Sequence, residues 1–126
     1  MNLKFFEQNE FNEDGVNVFS KMDAEFLRRL DRVREACGFP FQITSSYRSP
    51  EKNKRVGGSL NSMHLQGRAV DIACTNSVQR WVITREAIKE GLTVGIMPNA
   101  IHLDNRPAPI LFHYYERFRA GKSKDE

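Results

Sequence analysis

Residues 62–71 (SMHLQGRAVD) constrain the fold more than any other part of the chain. They place His64 and Asp71 seven residues apart, with Gly67 between them. If both side chains bind one metal ion, each ligand atom lies about 2 Å from it. Seven extended residues, however, span roughly 23 Å. The backbone must therefore turn back between the two ligands, and Gly67 permits this because glycine accepts positive φ.

The residues after this glycine alternate in character as a β-strand does, over residues 68–74. Val70 and Ile72 point to one face, which we assign to the core, and Asp71 points to the other face among small neighbours. On spacing alone, the pattern also fits a simple turn followed by a half-buried strand that carries one acid.

A third candidate ligand lies downstream, in the alternating run of residues 101–104 (IHLD). The alternation puts His102 and Asp104 on one face of a short strand. His64, Asp71 and His102 then offer nitrogen and oxygen ligands from three positions, which leaves a fourth position for water. This pattern is typical of a catalytic zinc site rather than a closed structural one.

The same residues carry a family resemblance. Every fixed position of an S-x-H-x-x-G-x-A-x-D signature is filled, by Ser62, His64, Gly67, Ala69 and Asp71. The chain thereby resembles the zinc D-alanyl-D-alanine carboxypeptidases and their relatives. Those relatives include bacteriophage L-alanyl-D-glutamate endolysins, vancomycin-resistance dipeptidases, murein endopeptidases and the hedgehog signalling domain.

Two further segments extend the resemblance to roughly residues 20–106. Residues 45–50 (SSYRSP), with Asn53 and residues 56–58 (VGG), look like the family's S-x-Y-R-S segment. Gly95 and residues 101–104 look like its G-[IV]-G-x-Y-P and [FV]-H-x-D segment. Three motifs in the same order make the resemblance specific.

The resemblance implies a peptidase that holds one Zn²⁺ ion on His64, Asp71 and His102 and cuts peptides of peptidoglycan. It also implies that Arg48 steers the substrate or polarises the scissile carbonyl, although position alone fits a surface arginine equally well. Ser62 is either a loop cap or a donor to substrate, and we favour contact with substrate. The bond cleaved, in a stem peptide or a cross-link, stays open between a carboxypeptidase and an endopeptidase.

The general base is where the chain departs from the family. Such a base must accept a proton from the attacking water. Many relatives have an acid three residues before the last histidine ligand, and others have a histidine five before it. Asn99 and Met97 occupy these positions. Asp104 is then either the base or a carboxylate that orients a histidine ligand, and His113 is either part of an aromatic cluster or a catalytic partner.

Composition predicts an ordinary globular chain. At 126 residues, residues 1–126 are expected to form a single peptidase domain. The net charge of +3 comes from scattered basic residues, which fits an anionic cell wall, nucleic acid or an unremarkable basic surface. We expect no specific nucleic acid as a partner. Cys37 and Cys74 could both be free thiols, and one disulfide is possible although nothing requires it. Neither cysteine lies in a C-x-x-C pair, so we expect no cysteine metal site. We also expect a monomer.

No apolar run resembles a signal peptide or a membrane span. We therefore expect a protein that reaches the cell wall after release from the cytoplasm or from a virion, as phage lysis enzymes do.

The predicted fold is α+β, with a small, mostly antiparallel sheet and flanking helices, similar to the hedgehog and DD-peptidase fold. The first long helix is expected to start at Ser20, in a capping box with Asp23, and to end at Gly38 and Pro40. The second is expected to run from Asn76 to about Glu90, with Trp81 as a core anchor. Residues 1–19 are predicted as an irregular arm, 105–118 as packed on the core and 121–126 as a flexible tail.

Two rival functions remain. One is a zinc-containing binding module without catalysis, for which Asn99 is the best argument. The other is a small basic nucleic-acid-binding domain, whose binding would be sensitive to salt and would survive chelation.

Overall fold

A computed structural model describes residues 1–114 of the chain. The strands are β1 (Asn12–Glu13), β2 (Val16–Asn17), β3 (Gln42–Ser45), β4 (Ala69–Ala73), β5 (Thr93–Ile96), β6 (Ala100–Asp104) and β7 (Leu111–His113). The helices are α1 (Ala24–Cys37), α2 (Pro50–Arg55) and α3 (Ser77–Lys89), with 3-10 turns at Gln8–Glu10, Phe19–Lys21 and Met63–Gln66. The predicted α+β class is confirmed. The predicted tail at 121–126 lies outside the described residues.

Five strands form the main sheet, in the order β3-β4-β6-β5-β7. Neighbouring strands are antiparallel except β5 and β7, which are parallel. In this register His102 of β6 lies between Asp71 of β4 and Gly95 of β5. The alternation of side chains therefore puts Asp71 and His102 together on one face of the sheet.

The other face of the sheet carries the hydrophobic core. Helix α3 contacts β5 and β6, and α1 packs on α3. The buried apolar side chains of the strands belong to one cluster with the buried face of α1 (Val70, Ile72, Val94, Ile101, Leu103, Phe26, Leu27, Leu30 and Val33). The sheet thus separates an apolar face from a polar one, and the polar face holds the candidate ligands.

Helix α1 starts later than the predicted Ser20. Ser20 lies in a 3-10 turn, and the N-cap is Asp23, whose side chain accepts a hydrogen bond from the Phe26 amide at 2.9 Å. The Asp23 amide in turn donates to the Gly67 carbonyl at 2.8 Å, which holds the chain extended before the helix. A contact distant in sequence therefore decides where this helix begins. Its predicted end at Gly38 is confirmed by a left-handed C-cap.

The prediction of Trp81 as a core anchor is wrong. Its side chain is 62% exposed, and α3 buries Ile83, Glu86 and Ala87 instead. The apolar residues of α3 occupy more than one side of the helix, so their spacing did not identify the buried side. The Arg85 guanidinium lies 4.9 Å from the centre of the indole ring and partly covers it.

The N-terminal segment is more regular than the predicted arm. Strands β1 and β2 form a hairpin, with positive φ at Asp14 and Gly15 in its turn. Phe6 and Phe11 are buried in the core cluster, so the segment lies over the core as expected. The Glu13 carboxylate accepts hydrogen bonds from the amide and hydroxyl of Ser49, which ties the hairpin to the start of α2.

The segment after β6 returns to the sheet as β7, beside β5. Tyr114 is buried, while Leu111 and His113 are exposed. The expectation that this apolar segment packs back on the protein therefore holds for its described part. Over residues 1–114, none of the helices has both the length and the apolar character needed to cross a membrane.

We expect replacement of Gly67 by alanine to lower the free energy of unfolding by about 2 kcal/mol or more. Its φ is +66°, which costs about 1–2 kcal/mol for a residue with a Cβ. An added Cβ would also overlap the backbone carbonyl of Lys21. Gly38→Ala is the matched control, because its φ is +77° and its surroundings are open. Urea denaturation would measure both, and equal losses would contradict the constraint from Lys21.

Trp81 is the single tryptophan of the chain, so tryptophan fluorescence reports on it alone. Because the ring is exposed, we expect acrylamide to quench the native protein nearly as well as the urea-unfolded protein. Arg85→Ala should increase native quenching further, since it uncovers the ring. Strong protection of the native fluorescence would place Trp81 in the core after all.

Candidate metal centre

Three buried side chains converge on the polar face of the sheet. His64 comes from the 3-10 turn Met63–Gln66, Asp71 from β4 and His102 from β6, and their ligand atoms lie within 4.8 Å of one another. Asp71 Oδ1 is 3.3 Å from His64 Nε2 and 3.0 Å from His102 Nδ1. The spacing of these atoms would allow them to share one metal ion.

The orientation of His64 is set by its other ring nitrogen. Nδ1 lies 2.7 Å from the Ser46 carbonyl oxygen, which can only accept, so Nδ1 carries a proton. In the neutral ring Nε2 then has a lone pair; it is buried and makes no hydrogen bond within residues 1–114. It faces Asp71 Oδ1, which is another acceptor. Two lone pairs that face each other at this distance fit a cation between them.

Asp71 is ionised in this environment. Burial alone would raise its pKa, but the charge and hydrogen bonds that His64 and His102 supply when their rings are protonated hold the pKa well below its usual value. A carboxylate in this state supplies the negative charge that a divalent cation requires.

His102 lies between two carboxylates. Its Nε2 is 2.7 Å from Asp104 Oδ2, and its Nδ1 faces Asp71. Burial alone would lower the pKa of His102, but hydrogen bonds and charge from Asp104 and Asp71 raise it to about 9. With its pKa raised to this level, the metal-free ring is protonated on both nitrogens at neutral pH. A metal ion would take the place of the Nδ1 proton while Nε2–H donates to Asp104, as in a carboxylate–histidine–metal arrangement.

Asp104 is itself held in place by Arg106. The guanidinium donates to both carboxylate oxygens, with Nη2 2.6 Å from Oδ2 and Nε 3.0 Å from Oδ1, and the Arg106 amide also donates to Oδ1. Burial would raise the pKa of Asp104, but His102 and Arg106 hold it well below its usual value. A carboxylate that accepts this many hydrogen bonds is better suited to orienting His102 than to accepting a proton from water.

The sequence-predicted substrate residues lie beside the centre. Arg48 is 5% exposed, and its Nη2 is 3.8 Å from Asp71 Oδ2, so a plain surface arginine does not describe it. Ser62 is buried, and its hydroxyl accepts a hydrogen bond from the His64 amide at 3.2 Å. This is the loop-cap alternative, and contact of Ser62 with substrate stays a prediction.

His113 lies apart from the three ligands. It is exposed and pairs with Ile96 in the β5–β7 register, whereas Gly95, Phe112 and His102 share the polar face. The alternation of strand side chains therefore directs His113 to the opposite face. Asn99 is exposed in the turn between β5 and β6. Neither residue gains geometric support as a catalytic group.

Sequence reasoning missed the aromatic wall beside His102. The rings of Phe112 and Tyr114 lie 5.8 and 6.4 Å from the His102 ring, centre to centre. Gly95 makes room for this wall, because a Cβ there would lie 2.8 Å from the Phe112 ring and 3.1 Å from His102 Cβ. Alternation within residues 111–114 pairs these two rings on one face, but only the β5–β7 pairing shows which face it is. Arg106 was missed in the same way.

Asp104→Asn should weaken zinc binding by about 10- to 100-fold, the usual cost of losing a carboxylate behind a histidine ligand. Competition with a chromophoric chelator would measure the affinity. Glu35→Gln is the control, since Glu35 is exposed on α1, the helix that packs on the opposite side of the sheet from the ligands. Unchanged affinity in Asp104→Asn would contradict the orienting role.

A comparison with known families bears on this geometry. A family model described as Peptidase M15 matches residues 4–104, which is most of the chain and contains His64, Asp71 and His102. A search of curated proteins found no match. On the strength of the family match, this chain belongs to the M15 family of peptidases.

Proposed function

We propose that this protein is a zinc-dependent peptidase that hydrolyses peptide bonds in peptidoglycan, in a stem peptide or a cross-link. The observation that carries the proposal is the pair of buried acceptors, His64 Nε2 and Asp71 Oδ1, that face each other at 3.3 Å. His102 Nδ1 completes a set of two nitrogens and one oxygen. Membership of the M15 family supports peptide hydrolysis at this set.

Zinc suits these ligands better than magnesium or calcium, which prefer oxygen alone. When bound, zinc would polarise the scissile carbonyl and lower the pKa of a water molecule in the open position. Asp104 and Arg106 would keep the His102 ring fixed, and the Ser46 carbonyl would keep the His64 ring fixed. Arg48 carries the positive charge nearest to the ligands in the β3–α2 segment, so we propose that it also attracts a substrate carboxylate.

A peptidase also needs a group that accepts a proton from the attacking water. Asp104 is occupied by His102 and Arg106, and Asn99 cannot act as a base. These facts favour one alternative, a zinc-containing binding module without catalysis that recognises the cell wall. Catalysis therefore needs a direct test rather than an inference from the ligands.

The family resemblance and the net charge of the chain support the biological setting that we propose. An enzyme of bacteriophage or prophage lysis would meet the wall after release from the cytoplasm or from a virion. The net charge of +3 favours binding to an anionic cell wall. If the protein is a monomer, its affinity for the wall would come from the site and the surface around it.

The first experiment measures metal content by elemental mass spectrometry on protein purified without chelator. We expect about one zinc per chain, lost in His64→Ala and His102→Ala, because each variant removes one of only three ligands. Purified muropeptides are then digested with and without EDTA, and the products are identified by mass. Glu35→Gln, a surface substitution on α1, should match the parent in both assays.

The outcomes separate the candidate functions. Zinc together with EDTA-sensitive cleavage supports the peptidase, and the product masses identify the bond. Zinc without cleavage favours the binding module. A parent protein that stays free of metal after zinc is added would contradict both the peptidase and the zinc-containing binding module. DNA binding that is sensitive to salt and survives EDTA would favour a nucleic-acid-binding domain.

A further inference from the structure

The two oxygens of the Asp71 carboxylate face different neighbours. Oδ1 faces both histidine ligands, at 3.3 Å from His64 Nε2 and 3.0 Å from His102 Nδ1. Oδ2 lies on the other side, 3.8 Å from Arg48 Nη2. Because both residues are almost fully buried, this pair is shielded from water and screened little by salt. Arg48 therefore influences which oxygen of Asp71 faces the two histidine ligands.

Arg48 is held in this place by Asn53. The guanidinium donates from Nη1 to Asn53 Oδ1 at 3.0 Å and from Nη2 to Ser45 Oγ at 3.3 Å. The Arg48 amide donates to the His64 carbonyl at 2.9 Å, so the arginine backbone is joined to the ligand turn. A side chain bonded at both guanidinium ends has little freedom to swing away from Asp71.

Asn53 is fixed in its turn by the loop that follows α2. It is 3% exposed, and its Nδ2 donates to the Ser59 carbonyl at 2.8 Å. The Gly58 amide donates to the Asn53 carbonyl at 2.9 Å. The side-chain amide of Asn53 has one orientation that satisfies both Arg48 and Ser59, because its Oδ1 must accept from Arg48 and its Nδ2 must donate to Ser59.

Gly58 closes the loop directly over this contact. A Cβ at position 58 would overlap Asn53 Oδ1 and lie 2.9 Å from Arg48 Nη1. The absence of a side chain there lets the backbone approach the pair of side chains. The path from Gly58 through Asn53 and Arg48 to Asp71 is thus continuous, and Asn53, Arg48 and Asp71 are buried.

We propose that Asn53 is a positioning residue, which acts through Arg48 to hold Asp71 as a ligand through Oδ1 alone. The inference rests on the proposed function only in that the centre binds a metal ion. An Asp71 that turned Oδ2 inward as well would occupy a further position at the metal. Arg48 prevents this by keeping Oδ2 in a charged pair, and Asn53 keeps Arg48 from leaving that pair.

The alternative is that Arg48 and Asn53 serve substrate alone. In that case removal of Asn53 would raise the KM and leave the affinity for zinc unchanged. The two roles are therefore separable by a measurement on the metal without substrate.

The test uses two variants that break the same contact from opposite sides, Asn53→Ala and Gly58→Ala. Zinc affinity is measured by chelator competition, and the absorption spectrum of the Co²⁺-substituted protein reports on the ligand arrangement. We expect both variants to lose about 10- to 100-fold in zinc affinity and to change the Co²⁺ spectrum, because a ligand carboxylate loses its orientation. Circular dichroism checks that each variant is folded.

Two further variants make the test specific. Asn53→Asp keeps an acceptor oxygen for Arg48 but loses the donor to the Ser59 carbonyl, so we expect it to keep more of the zinc affinity than Asn53→Ala, which loses both contacts. Asn61→Ala is the matched control, since Asn61 is exposed in the same loop and its backbone amide, which the variant keeps, donates to Ser59 Oγ.

Each outcome decides the inference. Parental zinc affinity and spectrum in folded Asn53→Ala and Gly58→Ala would overturn it. Equal losses in Asn53→Asp and Asn53→Ala would also overturn it, since the donor to the Ser59 carbonyl, which both variants lack, would then matter rather than the contact with Arg48. A parent protein that binds neither zinc nor Co²⁺ would defeat the proposed function itself, which is a different result from a parent that binds both with variants that match it.

Discussion

The rest of the structure depends on the antiparallel pairing of β4 with β6, which sets Asp71 directly opposite His102. A slip of one residue would send one of the two side chains into the apolar core. The core cluster opposes such a slip, because Val70, Ile72, Ile101 and Leu103 are all buried on the other face. Hydrophobic burial thus secures the geometry of a polar site that would be costly to form by itself.

Each ligand is backed by a partner from a different part of the chain. The Ser46 carbonyl orients His64, the Asp104–Arg106 pair orients His102, and Arg48 pairs with Asp71. The three ligands therefore keep their arrangement through interactions outside the set itself. Such backing is what makes a buried cluster of titratable groups compatible with a stable fold, since each group has a partner for its charge or its proton.

Local patterns predicted well wherever the physical cause was local. Gly67 was identified as a turn because its neighbours had to reverse direction, and its φ is positive. Gly38 was identified as a helix end, and α1 does end there. Prediction failed where a distant contact decides. Asp23 caps α1 while its amide bonds to Gly67, and Trp81 lies outside because the sheet packs against another side of α3.

The sequence by itself determined which residue types could form the site, because alternation and one glycine put His64, Asp71, His102 and Asp104 on faces that can meet. It left Asp104 open between base and orienting group, and it did not point to Phe112, Tyr114 or Arg106 as neighbours of His102. Only the tertiary structure decided these points. Strand order and register depend on contacts between residues far apart in the chain, and no local pattern encodes which strand becomes the neighbour of another.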